Sequence, residues 1–407
     1  MTLLTETQPR TSTFRSDFPA GEGMIRYAPV GDLLLESGKI LPEVTLAFET
    51  WGTLNSDASN AVLILHALTG DTHVARGNAP EGANSEQREH AQSEGWWDDL
   101  VGPGKVIDTE RYFVLCPNII GGCTGSTGPV SPAPASVDPT QQPWGSRFPL
   151  VTIRDSVHAE AALADQLGID SFYAVIGGSL GGARALEWAL TYPERVERCC
   201  VIASAPSATA DHIAWAQSQN LAIQMDPHFV GGDYYGGETP SAGLGLARRI
   251  AHTTYRSAPE LHFRFGRDYQ ADENPLEANP ADRGGRYAIE SYLDYHAQKL
   301  TNRFDANSYL AINNALMSHD VTRDRGTLRQ ALAASTCSWS IAYVDSDRLF
   351  YPCESIVLAA SLPQPVEAQE IRSVCGHDGF LIESDQLAQV IDAALAQERR
   401  TRGASAA

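Results

Sequence analysis

The sequence is short of several things, and each shortage removes a class of function. Cysteine is sparse: seven in 407 residues, at positions 116, 123, 199, 200, 337, 353 and 375. The number is odd and no pair stands as Cys-x-x-Cys, which argues against a disulfide framework or a zinc site, so no metal is expected. No apolar run approaches the ~20 residues a membrane-spanning helix needs. Met1 to Pro19 is polar and lacks the basic-then-apolar order of a secretory signal, so the cytoplasm is the expected compartment. Positive charge is also scarce: 30 Lys and Arg face 50 Asp and Glu, a net charge of −20. Such a field repels phosphate backbones, so neither nucleic acid nor an anionic membrane is an expected partner. It repels small anionic substrates too, and any such substrate must be met by arginines placed locally. What remains, 43% hydrophobic and 20% charged, is the composition of a globular domain.

Hydrophobic patterning divides the chain. Leu33 to Trp51 carries two β-rich runs around Gly38-Lys39 and predicts a hairpin. Short apolar runs at 60–66, 111–117, 172–176 and 199–204 predict buried strands, and 153–167, with Thr152 as N-cap, predicts a helix. Gly77 to Ser93 is polar, Glu-rich and without periodicity, and is expected to be a surface loop. Alternating strands and helices of this length mean an α/β class, a mostly parallel sheet flanked by helices. From 207 to 327 the pattern turns to helices and polar loops, with helices expected at 211–225, 242–254, 287–304 and 305–316. Strands resume at 337–344 and 367–374, and a last helix runs from 384 to about 398. The expected organisation is a flexible tail at 1–22, a core of 23–206 and 328–400, and a helical insertion at 207–327.

The most informative stretch is Tyr173-Ala-Val-Ile-Gly-Gly-Ser179-Leu-Gly-Gly182. An apolar run leads into a serine bracketed by glycines, and a helical pattern follows. Gly177, Ser179 and Gly181 fill the G-x-S-x-G pattern, in which a strand turns sharply into a helix with the serine at the apex. Side chains two before and two after would clash in such a turn, which is why glycine stands there. In the α/β-hydrolase fold that carries this turn, an acid and then a histidine follow in chain order. Gly376-His377-Asp378-Gly sits after the last predicted strand and offers His377 as base. Asp345-Ser-Asp347 follows the first strand after the insertion; the spacing to the downstream proline favours Asp347 as the acid, with Asp345 as the alternative. A serine hydroxyl is too weak an acid to attack unaided near neutrality, so His377 takes its proton and Asp347 holds the imidazole. The backbone N–H groups of Leu180 and Leu68, the latter in the loop after His66, are the expected oxyanion donors.

These residues, taken with others, resemble the homoserine O-acyltransferase family, the acyl-CoA-dependent α/β-hydrolase type. The resemblance runs from about residue 32 to 390. It includes His66-Ala-Leu-Thr-Gly-Asp71, Gly95-Trp-Trp-Asp, Asn118 to Pro129, Trp144-Gly-Ser-Arg-Phe-Pro149, Leu246 to Arg256, Arg303-Phe-Asp-Ala-Asn-Ser-Tyr309 and Gly376 to Leu381. It implies a homodimer with the helical insertion as lid and dimer contact. It implies a ping-pong reaction in which Ser179 takes an acyl group from acyl-CoA and gives it to the γ-hydroxyl of L-homoserine, with acetyl-CoA as co-substrate and no tightly bound cofactor. It also implies that Arg248 binds the homoserine carboxylate and Asp378 its ammonium group. Arg147 and Arg184 either help hold the acyl donor or, as preferred, brace the core; Tyr255 and Asp320 are further candidates for the tunnel wall. Leu180 stands where many members have methionine, a volume-conserving exchange that spares the backbone donor.

Homoserine O-acetyltransferase chemistry in methionine synthesis is thus the expected activity. A succinyl donor, or serine or deacetylcephalosporin C as acceptor, stays open within the family. A plain esterase of the same fold stays open outside it.

Overall fold

The computed structural model describes residues 21–279, 281 and 284–398. All of the tail expected at 1–22 except Gly21 and Glu22 lies outside the described residues; Glu22 accepts the Gly52 N–H at 2.8 Å and so ties that end to the sheet.

Eight strands form one sheet: β1 (Arg26–Leu34), β2 (Ile40–Trp51), β3 (Ala61–Leu65), β4 (Phe113–Pro117), β5 (Ala174–Gly178), β6 (Arg198–Ile202), β7 (Ser338–Val344) and β8 (Gln369–Ile371). Their spatial order is β1-β2-β4-β3-β5-β6-β7-β8. The hairpin β1–β2 is antiparallel and joins β4 antiparallel; from β4 onward every pairing is parallel. The inner strands β3, β5 and β6 are wholly buried, as their unbroken apolar runs require of a sheet covered on both faces. One apolar cluster fills the side covered by α2 (Ile153–Leu167) and α3 (Leu180–Thr191), and a second fills the side covered by the C-terminal α12 (Ser384–Ala396).

Local sequence explains the helix ends. Thr152 and Asp155 bond each other's backbone N–H groups at 3.1 and 2.9 Å, and Gly168 closes α2 in the left-handed region. Here the structure corrects the sequence reading of one loop. The stretch Gly77 to Ser93, expected to be loop, contains helix α1 (Ser85–Gln92), started by a reciprocal cap between Asn84 and Gln87. Its only buried residue is Ala91, so it carries no apolar stripe to announce it.

Between β6 and β7 the chain leaves the sheet and forms α4 (Ala210–Gln224), α5 (Ser241–Tyr255), α6 (Ala258–Phe265), α7 (Ala288–Thr301) and α8 (Ala306–Met317), then the short α9 (Leu328–Leu332). Ser257 caps α6, an element the periodicity did not reveal. These helices have their own apolar cluster, which includes Ile119, Leu180 and Ala183 of the core and so seats them over the start of α3. After β7 come α10 (Pro352–Ser361) and, before α12, the short α11 (Gly379–Ile382).

Candidate active site

Ser179 closes β5 and opens α3 with φ 58° and ψ −125°, a conformation L-residues rarely adopt. The bracketing glycines make it possible. A Cβ on Gly177 would stand 2.1 Å from the Gly181 carbonyl, and one on Gly181 would stand 1.9 Å from the Leu65 carbonyl. The turn holds because nothing larger than hydrogen fits.

His377 lies between β8 and α11. The structure puts its Nε2 2.8 Å from Ser179 Oγ and its Nδ1 2.6 Å from Asp347 Oδ2, with all three residues buried. Asp347 is fixed from its other oxygen, which accepts the N–H groups of Leu349 and Phe350 at 2.8 and 2.9 Å. Asp345 instead accepts the Ser373 N–H at 2.9 Å, which leaves Asp347 as the carboxylate at the histidine. Burial works against a charged imidazole, but the charge and hydrogen bond of Asp347, with Asp378 adding, outweigh it and hold the His377 pKa above its usual value. This set can move a proton from a serine hydroxyl to an imidazole whose cation is stabilised in advance.

The Leu180 N–H, first in α3, and the Leu68 N–H, in the loop after β3, carry no hydrogen bond among the described residues. The second loop is held from behind by His66. Its Nδ1 contacts the Ala67 carbonyl at 2.8 Å, and its Nε2 accepts the Ile119 N–H at 3.1 Å. Accepting that bond requires a neutral ring, and burial takes the His66 pKa down to about 3.

Ser179 and His377 open into a cavity of about 250 Å³, also lined by Leu68, Arg248, Tyr255 and Asp378. Arg248, on α5, lies over the Tyr255 ring at 5.4 Å; its Nε and Nη1 have no hydrogen-bond partner. No carboxylate pairs with it among the described residues. Asp378 is 3.1 Å from Arg256 Nε, and burial raises its pKa against the opposing pull of Arg256, His377 and Arg248. Arg256, Lys299 and Arg303 are cationic wall residues given no role in the sequence reading, although Arg256 and Arg303 stand in stretches that carry the family resemblance, and Asp378 is the one acid among the described lining residues. The chain has only three lysines, at 39, 105 and 299, and one of them stands here. Their shared location could not be read from sequence, because two separate parts of the insertion supply them: Arg256 at the end of α5, and Lys299 and Arg303 at the end of α7.

Other candidates lie elsewhere. Arg184 is fully buried against Glu160. Arg147 pairs with Asp138 at 2.9 Å on a loop. Neither lines the cavity. Asp320 accepts from Thr322 and is likewise outside the wall, whereas Tyr255 is part of it. The insertion is pinned to the site from two sides. Arg303 donates to the Thr69 carbonyl at 2.9 Å, and Gly376, at φ +69°, lets the Tyr255 carbonyl come within 2.6 Å of where a Cβ would sit.

Comparison with known proteins shows what the chain as a whole is similar to. The alpha/beta hydrolase fold family matches residues 60–384. A homoserine O-acetyltransferase of Thermobifida fusca (strain YX) is 50% identical over 392 residues, 96% of this chain and 98% of that one. One of Leifsonia xyli subsp. xyli is 48% identical over 383 residues, 93% and 90% of the two chains. Among solved structures, homoserine O-acetyltransferase from Bacillus anthracis superposes with a TM-score of 0.81 at 27% identity, covering 94% of this chain and all of that one. Esterase E22 superposes with a TM-score of 0.79, also at 27% identity, covering 92% of this chain and all of that one. Identity at this level across nearly the whole length places the chain in the homoserine O-acetyltransferase family of alpha/beta hydrolases.

Proposed function

We propose that this chain transfers an acetyl group from acetyl-CoA to the γ-hydroxyl of L-homoserine, releasing CoA, as a step of methionine synthesis. The observation that carries the reading is Arg248, a guanidinium with unpaired Nε and Nη1 in the wall of the cavity that holds Ser179. An amino-acid acceptor needs such an anchor for its carboxylate, and a planar fork of donors suits it. A simple ester does not.

The chemistry proceeds through acyl-Ser179. Ser179 Oγ attacks the thioester carbon as His377 Nε2 takes its proton; the C–S bond breaks and the thiol leaves with that proton. The homoserine hydroxyl then gives its proton to His377, attacks the acyl carbon and releases Ser179, which regains a proton from His377. Asp347 orients the imidazole, and the Leu68 and Leu180 N–H groups receive the oxyanion at both stages. Arg248 takes the acceptor's carboxylate and Asp378 its ammonium group. Arg256, Lys299 and Arg303 supply the local positive potential that an anionic thioester needs in a chain of charge −20.

The helices from α4 to α8 act as the lid that keeps water out, and as the contact of a homodimer in the cytoplasm. Exposed Leu221 and Met225 on and after α4 and Leu246 on α5 support an interface there. Among the described residues no helix is long and apolar enough to cross a membrane.

A second reading, ester hydrolysis, is favoured by one observation: esterase E22 shares this fold at the same identity as a homoserine O-acetyltransferase does. A matrix of acetyl-, propionyl- and succinyl-CoA against homoserine, serine and water separates the two. CoA release that depends on homoserine, fastest with acetyl-CoA, is expected; steady release without an acceptor would overturn the transferase reading.

A further inference from the structure

A second buried cluster of ionisable groups lies outside the cavity and takes no part in the proposed chemistry. Glu49 stands on β2 opposite Cys116 and is fully buried. Its Oε2 is 2.9 Å from His73 Nδ1, in the chain just beyond the Leu68 loop, and its Oε1 is 3.0 Å from His90 Nε2, in the last turn of α1. The three residues can present ligand atoms that all lie within 4.8 Å of one another. Two imidazoles and a carboxylate are a donor set that zinc-class cations take, with a further position left for water. The observed N···O separations are near the ~3.3 Å edge of a tetrahedron whose bonds are about 2.0–2.1 Å.

The surroundings match as well. His73 Nε2 lies 3.0 Å from the Ser93 carbonyl. A metal-ligating histidine places its remote N–H on a carbonyl or carboxylate in just this way, which aims the other nitrogen at the ion. Ser93 also returns its own N–H and hydroxyl to the His90 carbonyl, at 3.1 and 2.7 Å, so one residue orients both histidines. Thr72 donates to Glu49 Oε1 at 2.5 Å and fixes the carboxylate. The His90 side chain is 34% exposed, which gives an ion a way in, whereas Glu49 is at 0%. The Asn84–Gln87 cap explains why so polar a helix as α1 exists at all, and α1 is what delivers His90.

We propose that Glu49, His73 and His90 form a three-ligand site for a divalent cation of the zinc class. No cysteine takes part, which is why the sparse cysteines gave no hint of it. Without the ion, the same atoms hydrogen-bond as imidazolium and imidazole on carboxylate. On binding, His73 releases its Nδ1 proton to solvent, His90 moves its proton from Nε2 to Nδ1, and Glu49 stays ionised; no electron is transferred. The bound ion ties α1 to β2 and to the chain that follows the Leu68 loop. The proposal does not depend on the acyl-transfer reading.

The test uses untagged full-length protein, treated with chelator and with its thiols alkylated, titrated with Zn²⁺ by calorimetry and with Co²⁺ by visible absorption. One Zn²⁺ per chain and a tetrahedral Co²⁺ spectrum are expected. His90→Gln keeps a donor for Glu49 but removes the ligand; it should weaken Zn²⁺ binding more than about 100-fold, beyond what loss of an outer-shell partner costs, and leave metal-free melting unchanged. His73→Gln should abolish the Co²⁺ spectrum. Absence of binding near one per chain, or binding in both variants as tight as in the parent, would overturn the site and leave a hydrogen-bond network alone.

Discussion

Two arginines with buried guanidinium nitrogens, the fully buried Arg184 in the sheet-and-helix core and the half-buried Arg248 in the helical insertion, are treated differently. Arg184 on α3 spends Nε and Nη2 on Glu160 Oε1 at 2.8 and 2.5 Å, and Nη2 also reaches the Pro117 carbonyl. The other oxygen of Glu160 accepts the Trp188 N–H at 2.7 Å. Arg248 on α5 has no carboxylate partner among the described residues, and its Nε and Nη1 face no acceptor. A buried charge is tolerated when its partner comes with the fold, because an unpaired one costs several kcal/mol. The core pairs this charge with its own carboxylate and leaves only Arg184 Nη1 without an acceptor. The insertion leaves one charge open in the cavity that holds Ser179, which makes sense if a ligand brings the missing partner.

The largest effect falls where the two regions meet. Ser179→Ala should lower acetyl transfer by about 10⁴–10⁶-fold and abolish acyl-enzyme formation. A burst of CoA release in this variant, seen by rapid-quench assay, would break the comparison, since the open arginine would then serve some other nucleophile. Asp347→Asn comes next, with a loss of about 10⁴-fold in kcat, while Asp345→Asn stays within a few-fold. Its pH dependence has a definite sign. His377 must be neutral to accept the proton, and its pKa is raised, so kcat/KM should climb through a limb above the ordinary histidine value. Removing the Asp347 charge leaves burial dominant and should move that limb to lower pH. The contribution of the charged pair to stability runs the other way: it is full below the unfolded histidine pKa and is lost as pH rises through the raised folded one.

The arginines themselves separate stability from binding. Arg184→Met strands Glu160 in the core and should cost about 3–5 kcal/mol of stability, read by denaturant unfolding. Arg248→Met should leave unfolding nearly unchanged and raise the Michaelis constant for homoserine by about 30–1,000-fold, the cost of losing one side of a desolvated charge pair of 2–4 kcal/mol, with that for acetyl-CoA little altered. If Arg248→Met instead destabilised the protein and spared the homoserine constant, the arginine would be a brace like Arg184.

How much of this was legible in the sequence depended on whether the information was local. The end of α2 was written in Thr152 and Asp155, three residues apart, and the turn at Ser179 in glycines two residues to either side. Helix α1 was not legible, because Ala91 alone is buried and a single apolar residue has no period. The choice between Asp345 and Asp347 rested on spacing; the structure puts the Asp347 carboxylate at His377 through Leu349 and Phe350, whose N–H groups fold back on it. The grouping of Glu49, His73 and His90 was out of reach, since β2 pairs with β4 to bring Glu49 beneath residues 24 and 41 positions away. The meeting of Arg256 with Lys299 and Arg303 was hidden for the same reason.

The smallest expected effect sharpens the comparison most finely, because it divides a single residue. In the proposed reaction Leu180 gives the site its N–H, and it gives the insertion's apolar cluster its side chain, which is fully buried with Ile119 and Ala183. The two contributions are separable. Leu180→Met keeps volume and backbone, so it should change stability by less than about 1.5 kcal/mol and kcat by no more than about two-fold. Leu180→Ala keeps the N–H but empties the contact between insertion and core, and should cost about 2–5 kcal/mol. If kcat in the folded Leu180→Ala protein also holds, the oxyanion donor is set by the elbow alone, through the Ser179 backbone and its two glycines. If kcat falls steeply while Leu180→Met stays active, the seating of the insertion on α3 is part of what aims that N–H, and the core is less self-sufficient than its paired Arg184 suggests.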